Sequence, residues 1–430
     1  MKEAKEKGND AFDLWMYLRN NEANEALEIN ALEKAREIYQ KILDELVALE
    51  NPLVNDGIAT LNNNLGNVAM ELRDFVQATA HYQIALNIRN KSGDFHRAAG
   101  IYHNLGRVEQ LQKHFDQAIY YSKKALEIYE DNKNIYKTGD AYKAAGTYYQ
   151  LGDIAREQGQ LKESLDYSQK AFNIYNKTGN LHDIARIYYQ FGNIAYLQEK
   201  VDKARDFYNK SLKIYEDAKD WYNTADVYVQ LGTLTQRQHQ FDDSVAYYKK
   251  ALKIFEDIKN WDKVATVYHQ LGIMSLQEQQ FKEAINYCQQ SLNIREDIQD
   301  WYKAADDYCL LGIIAQIEQQ FEMAMTYYKK SLEIFQQFKD WYKIPLTLRE
   351  LGNVLENLLN WNEAMKMYIQ AFELDIEHEK KWINLLIKDL ARMLNQLGEN
   401  QFEAIWREIT GEDCAGEIRD AIWSAPDNLK

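Results

Sequence analysis

Apolar and polar positions recur along this chain with the period of paired amphipathic helices. Trp221, Ala225, Tyr228, Gly232 and Thr235 step by 4, 3, 4 and 3, which places them on one helical face. Asp220, just before them, is a good N-cap residue. After a short turn at His239-Gln240-Phe241, Val245, Tyr248, Leu252 and Phe255 line a second helix. The block then repeats. Leu-Gly or Phe-Gly pairs put glycine at Gly66, Gly106, Gly152, Gly192, Gly232, Gly272, Gly312 and Gly352, spaced by 40 residues except for one step of 46. Each glycine is followed at fixed offsets by Ala or Ser, then by Tyr82, Ser122, Ser168, Tyr208, Tyr248, Cys288, Tyr328 or Tyr368, then by Ala or Ser again. Eight such blocks predict an all-α array in which each helix pair buries its apolar face against the next. Gly232 and Ser244 are small where the two helices of a pair must approach closely.

The order aromatic, Leu-Gly, Tyr, then Ala-aromatic-Ala resembles the tetratricopeptide repeat (TPR). It departs from that pattern in its period of 40 and in lacking the closing Pro, and the extra residues are expected in the second helix and the turn after it. Long repeats of this kind are similar to those of kinesin light chains, Pins-type polarity adaptors and bacterial TPR regulators. The resemblance implies a right-handed α-solenoid of about eight regular repeats over 52–379, with the first helices lining a concave groove. A divergent N-terminal repeat with an inserted segment is expected over 1–51, and a degenerate repeat with a cap over 380–430. In the first of these, Lys5 to Phe12 reads as a first helix, and Ala35-Arg36-Glu37-Ile38-Tyr39 matches Ala204-Arg205-Asp206-Phe207-Tyr208. The 46-residue step inserts six residues before Lys137-Thr138-Gly139-Asp140, enough to disturb the superhelical pitch. In the last segment Trp382, Leu386, Leu390, Met393 and Leu397 form an apolar face, and Arg392 stands where glycine is expected. Pro345 replaces the small residue of Ala185, Ala225, Ala265 and Ala305, so its helix is expected to start near Ile344 or to kink there.

In TPR folds the inner wall takes the first-helix residues three before, one after and four after the glycine, and the residue ten before shares their stripe. By that resemblance the partner-binding candidates are Asn63, Asn67, His103, Arg107, Tyr149, Asp153, Arg156, Tyr189, Asn193, Tyr196, Tyr222, His269, Ile273, Leu276, Arg349 and Asn353. The wall is polar at the N-terminal end, tyrosine-rich in the middle, and apolar around Ile273, Leu276 and Ile313. Tyrosine suits an interface because a large apolar ring carries a polar tip, and Asn can bond both the N–H and the C=O of an extended peptide. The column Trp221, Trp261, Trp301 and Trp341 shares the face of Ala225 and Gly232 and is expected in the core.

Composition narrows the function. Only 3 Pro and 19 Gly argue against turn-rich β folds and disordered linkers. No apolar run approaches the ~20 residues of a membrane span, the first residues carry no secretory h-region, and Cys288, Cys309 and Cys414 show no CxxC spacing. A reducing, cytoplasmic setting is expected. The net charge of −15 disfavours nucleic acid as a partner unless a local basic patch overrides it. Eight scattered histidines form no HxxxH motif, and GxSxG, Walker and GxGxxG patterns are absent, so neither catalysis, metal nor cofactor is expected. The expected function is a protein-interaction scaffold that binds a peptide or helix of a partner protein in its groove; the alternative is a peptide-gated regulator, although residues 1–50 show no helix-turn-helix. Lys5, Asn9 and Asn64 match three positions with which co-chaperone TPR domains hold a terminal carboxylate. Gly100 and Asn104 stand where the remaining Lys and Arg are required, with Arg107 nearby as a substitute.

Overall fold

A computed structural model describes residues 21–23, 26, 31–49, 54–131, 139–378 and 381–425, and every regular element among them is helical. The chain divides into two compact units, Met1–Lys219 and Asp220–Lys430. The first holds α1 (Leu32–Val47), α2 (Asn55–Glu71), α3 (Phe75–Ser92), α4 (Phe95–Leu111), α5 (Phe115–Asp131), α6 (Gly139–Glu157), α7 (Leu161–Thr178), α8 (Leu181–Leu197) and α9 (Val201–Asp217). The second holds α10 (Trp221–Arg237), α11 (Phe241–Asp257), α12 (Trp261–Gln277), α13 (Phe281–Asp297), α14 (Trp301–Ile317), α15 (Phe321–Gln337), α16 (Lys343–Asn357), α17 (Trp361–Glu377), α18 (Ile383–Leu397), α19 (Glu399–Thr410) and α20 (Gly416–Ser424). Consecutive helices pack as antiparallel pairs, so each unit is an all-α solenoid of helix hairpins. Ala35 and Tyr39 are buried in α1 as the match to Ala204 and Tyr208 predicted. The expected helix over residues 5–12 and the insertion before Lys137 lie outside the described residues.

The helix ends follow from local chemistry. Asp74, Asp94, Asn180, Asp220, Asn260, Asp300 and Asn360 each accept a hydrogen bond from the backbone N–H three residues on, satisfying a donor that the first turn leaves free. At the C-terminal ends a residue in the left-handed region closes the helix. Lys259, at φ 57°, is typical: the next N–H, of Asn260, donates to Phe255 O at 2.8 Å.

The repeated glycine faces a socket between the two helices of a pair. A Cβ on Gly192 would lie 2.5 Å from the Tyr208 ring, and Gly66, Gly232, Gly312 and Gly352 meet Tyr82, Tyr248, Tyr328 and Tyr368 in the same way. Where the socket residue is Ser122, Ser168 or Cys288, the residue two before the next glycine fills the space. Gln150, Gln190 and Leu310 are buried there, whereas Asn104, Gln270 and Glu350, which follow Tyr82, Tyr248 and Tyr328, stay half-buried.

Pro345 falls in the first turn of α16, which starts at Lys343 after a turn at Trp341-Tyr342, as its missing N–H requires. The tryptophan column is not core, contrary to the expectation: Trp221, Trp261 and Trp301 are 47%, 47% and 46% exposed. Each is the first residue after its N-cap, so its ring sits at the helix end, with only one side covered. Trp341 instead stacks on His378, with centroids 4.3 Å apart and planes at 12°. At the C-terminal end Leu386, Leu390 and Met393 join Phe402, Trp406 and Ile422 in one core, with Trp382 and Leu397 packed at its margin. Arg392, in the glycine column, bonds Glu356 at 3.0 Å and lies over the Tyr368 ring.

Candidate functional site

The first helices α2, α4, α6 and α8 lie side by side and, with side chains from the second helices, enclose a cleft of about 1100 Å³. Five predicted residues meet there: Asn63 from α2, His103 and Arg107 from α4, Tyr149 and Asp153 from α6. Arg186 of α8, six residues before its glycine and so off the predicted stripe, completes the far wall. Its guanidinium stacks 4.5 Å from the Tyr149 ring centroid, and Nη1 donates to Asp183 at 3.1 Å. Arg89, Arg97, Lys113 and Lys143 also reach the cleft.

Hydrogen bonds set the state of the wall. Thr147 Oγ1 donates to Lys143 O at 3.0 Å, so it accepts from His103 Nδ1–H at 3.1 Å, which leaves His103 Nε2 as an acceptor. Burial first, then the charges of Arg107 and Arg186, push the His103 pKa down to about 4, and the ring is neutral at physiological pH. Asp153 is held by Arg156 Nε at 3.0 Å, and Glu157 accepts from Gln110 Nε2 at 2.9 Å. Asn67 accepts from Tyr82 Oη at 2.7 Å, Asn193 from Tyr208 Oη at 2.8 Å and Asn353 from Tyr368 Oη at 2.8 Å. Their carbonyl oxygens therefore anchor the socket tyrosines rather than waiting for a peptide. Asn67, Arg156, Tyr189, Asn193 and Tyr196 lie outside the cleft lining; Tyr189 packs on Tyr208, with centroids 6.0 Å apart.

The predicted residues of the second unit bond or pack within that unit. Arg349 Nε donates to Asp389 at 2.5 Å, and Tyr222 packs edge-on against Phe255. Ile273 and Leu276 are half-buried against the cluster of Cys288, Leu292 and Leu311, so the expected apolar wall reduces to Ile313, which is 37% exposed. His269 Nδ1 lies 2.6 Å from the fully buried Asp307, which also accepts from Ser291 Oγ at 2.7 Å and Arg295 Nη1 at 2.9 Å. Periodicity alone gave no signal for that network. Among the described residues no cluster of His, Cys, Asp and Glu is placed to hold a metal ion, and no helix is long and apolar enough to cross a membrane.

Interlocked helix hairpins with a ligand-sized cleft on their first-helix face define a helical-repeat protein of the interaction type. Tetratricopeptide-repeat models match residues 57–131, 143–217, 223–297 and 308–338, and the chain belongs to the tetratricopeptide-repeat family. No curated protein matches its sequence. Among solved structures it is similar to aspartyl phosphate phosphatase F from Bacillus subtilis, at 14% identity and TM-score 0.52, covering 84% of this chain and 93% of that one. It is also similar to a Rap protein complexed with Competence and Sporulation Factor, at 15% identity and TM-score 0.51, covering 80% and 98%. A signal-transduction ATPase (STAND protein) with a tetratricopeptide repeat sensor from Pyrococcus horikoshii matches at 17% identity and TM-score 0.53, over 87% of this chain and 54% of that one. At these identities the likeness is one of fold.

Proposed function

We propose that the chain is a non-catalytic interaction scaffold whose N-terminal unit takes up a segment of a partner polypeptide in the cleft of α2, α4, α6 and α8. The cleft itself carries this reading. Its volume of about 1100 Å³ suits several residues of peptide, and its walls alternate tyrosine rings with Asn, His and Arg donors and acceptors. Asn63, His103, Arg107, Tyr149 and Arg186 are the contact residues of this reading. The Rap structure in complex with Competence and Sporulation Factor is a protein of similar fold with a bound factor, which is compatible with it. The test is selection of random dodecapeptides displayed on phage against the immobilised full chain, followed by anisotropy titration of the enriched sequences. Peptides that bind wild type and lose affinity in Asn63→Ala/Arg107→Ala, with helicity unchanged, support the assignment. Failure to enrich any peptide, or binding indifferent to both substitutions, overturns it.

A further inference from the structure

We infer that the cleft selects a polypeptide segment rich in internal carboxylates, an inference that rests on the scaffold reading above. The chain carries a net charge of −15, yet six cleft-lining side chains are Arg or Lys and only two are Asp or Glu. Asp153 is paired with Arg156, whereas Glu157 accepts from the neutral Gln110 and keeps its charge, so the lining still holds more cations than anions. Of the six cations, Arg89 and Arg97 converge on Asp56, Arg186 is bound to Asp183, and Lys143 Nζ lies 3.1 Å from His96 Nε2. Arg107 on α4 and Lys113 in the turn after it are exposed and make no ion pair among the described residues. These two side chains leave cationic groups on the cleft wall without a carboxylate partner among the described residues, and an anionic occupant would neutralise them. The neutral His103 beside Arg107 adds no competing charge.

The occupant is a polypeptide rather than a phosphorylated small molecule because of what else the wall offers. Tyr142, 45% exposed, and the half-buried Tyr149 offer ring surface to the cleft, suited to side chains placed between carboxylates, while Tyr129 and Tyr175 in the same wall are buried. Gln150, 4% exposed in the same wall, has neither amide atom hydrogen-bonded among the described residues. Its amide is a spare donor and acceptor beside the cleft, which a peptide backbone would satisfy by drawing the side chain out of the Gly106 socket it fills. Arg107 is a planar fork suited to a carboxylate. The carboxylates are taken as internal ones because, by the resemblance to carboxylate-holding co-chaperone repeats, Gly100 and Asn104 stand where two cations are required and Arg107 alone would replace them.

The experiment uses the dodecapeptides selected on the full chain. Their pool is expected to be enriched in Asp and Glu, and a synthetic representative is expected to bind equally with a free or an amidated C-terminus. Changing its acids to the corresponding amides, or the protein to Arg107→Ala/Lys113→Ala, should each weaken binding by about tenfold or more. Rising salt should weaken it further. Both protein side chains are exposed and make no ion pair among the described residues, so the double variant should melt like wild type. Neutral or basic peptides that bind wild type and the double variant alike overturn this inference and leave the scaffold reading standing. No enrichment at all overturns the scaffold reading itself. Dependence on a free C-terminus, or pyrophosphate binding more tightly than any selected peptide and lost in the double variant, replaces internal carboxylates by a chain terminus or a phosphate and also overturns the inference.

Discussion

Gln150 and Gln190 occupy the same repeat position and should respond in opposite directions to the same substitution. Gln190 Oε1 accepts from Ser168 Oγ at 2.8 Å, and its Nε2 donates to Tyr149 O at 3.2 Å. Gln150 is equally buried, faces Ser122, and among the described residues has both amide atoms unbonded, as is Ser122 Oγ. Leucine at 190 removes two hydrogen bonds of about 0.5–1.5 kcal/mol each, and its added apolar contact offsets only part of that. The net effect is a loss of about 1 kcal/mol. Leucine at 150 removes an amide whose burial is uncompensated, a relief of about 1–3 kcal/mol. In a unit of this size each kcal/mol moves the melting temperature by about 2–4 °C. Far-UV circular dichroism melts of the two single variants should therefore shift to opposite sides of wild type. Because repeat arrays unfold in segments, hydrogen exchange in α5 and α6 should follow the same order. If Gln150→Leu melts as low as Gln190→Leu, the Gln150 amide is bonded in solution, and the idea of a spare donor and acceptor in the cleft wall fails.

Gly192→Ala should cost about 1–3 kcal/mol in a denaturant titration, because the new methyl meets the buried Tyr208 ring at 2.5 Å. Asp307→Asn strips the charge partner from the buried Arg295 and should cost about 3–5 kcal/mol, visible as early unfolding of the second unit by limited proteolysis. His103 takes its proton near pH 4 when folded but near its ordinary 6.5 when unfolded. The unfolded chain therefore binds the proton first as pH falls, and the stability held above pH 6.5 is lost toward pH 4 at up to about 1.4 kcal/mol per pH unit. His103→Asn should flatten stability against pH across that window, and an unchanged slope would refute the assignment.

Much of the fold was legible because helix pairing and close approach leave a strict periodic trace. The glycine column, the buried Tyr39 and the late start of α16 at Pro345 all follow from it. Periodicity gives the face of a residue but not how far its neighbours extend over it. That is why Trp221, Trp261 and Trp301, placed on the right face, emerged half-exposed at helix ends. The cleft was legible at Asn63, His103, Arg107, Tyr149 and Asp153 and missed at Arg186, whose column the stripe does not include. Asn67, Asn193 and Asn353 were read as free amides although their repeats carry Tyr82, Tyr208 and Tyr368 fifteen residues later, which is the pairing the structure shows. Where that tyrosine gives way to Ser122 or Ser168, the same column holds the charged Arg107 or Asp153.

The exchange of socket residues also distinguishes the hairpins of the first unit from one another. A tyrosine socket is closed within its own hairpin, whereas the Ser122 and Ser168 sockets depend on Gln150 and Gln190 arriving from the next one. Hairpins closed this way rely on their neighbour for part of their own interior, and at Ser122 the borrowed contact is incomplete. In a linear array, where order propagates from each hairpin to the next, an unbonded amide at that junction lowers the coupling between the two hairpins. The cleft spans the same junction, so an occupant touching α4, α6 and α8 acts as a rivet: it couples fluctuations that would otherwise stay local and lengthens the stretch that unfolds as one. Binding would then be readable far from the contact residues, as a sharpening of the melting transition as well as a rise in its midpoint.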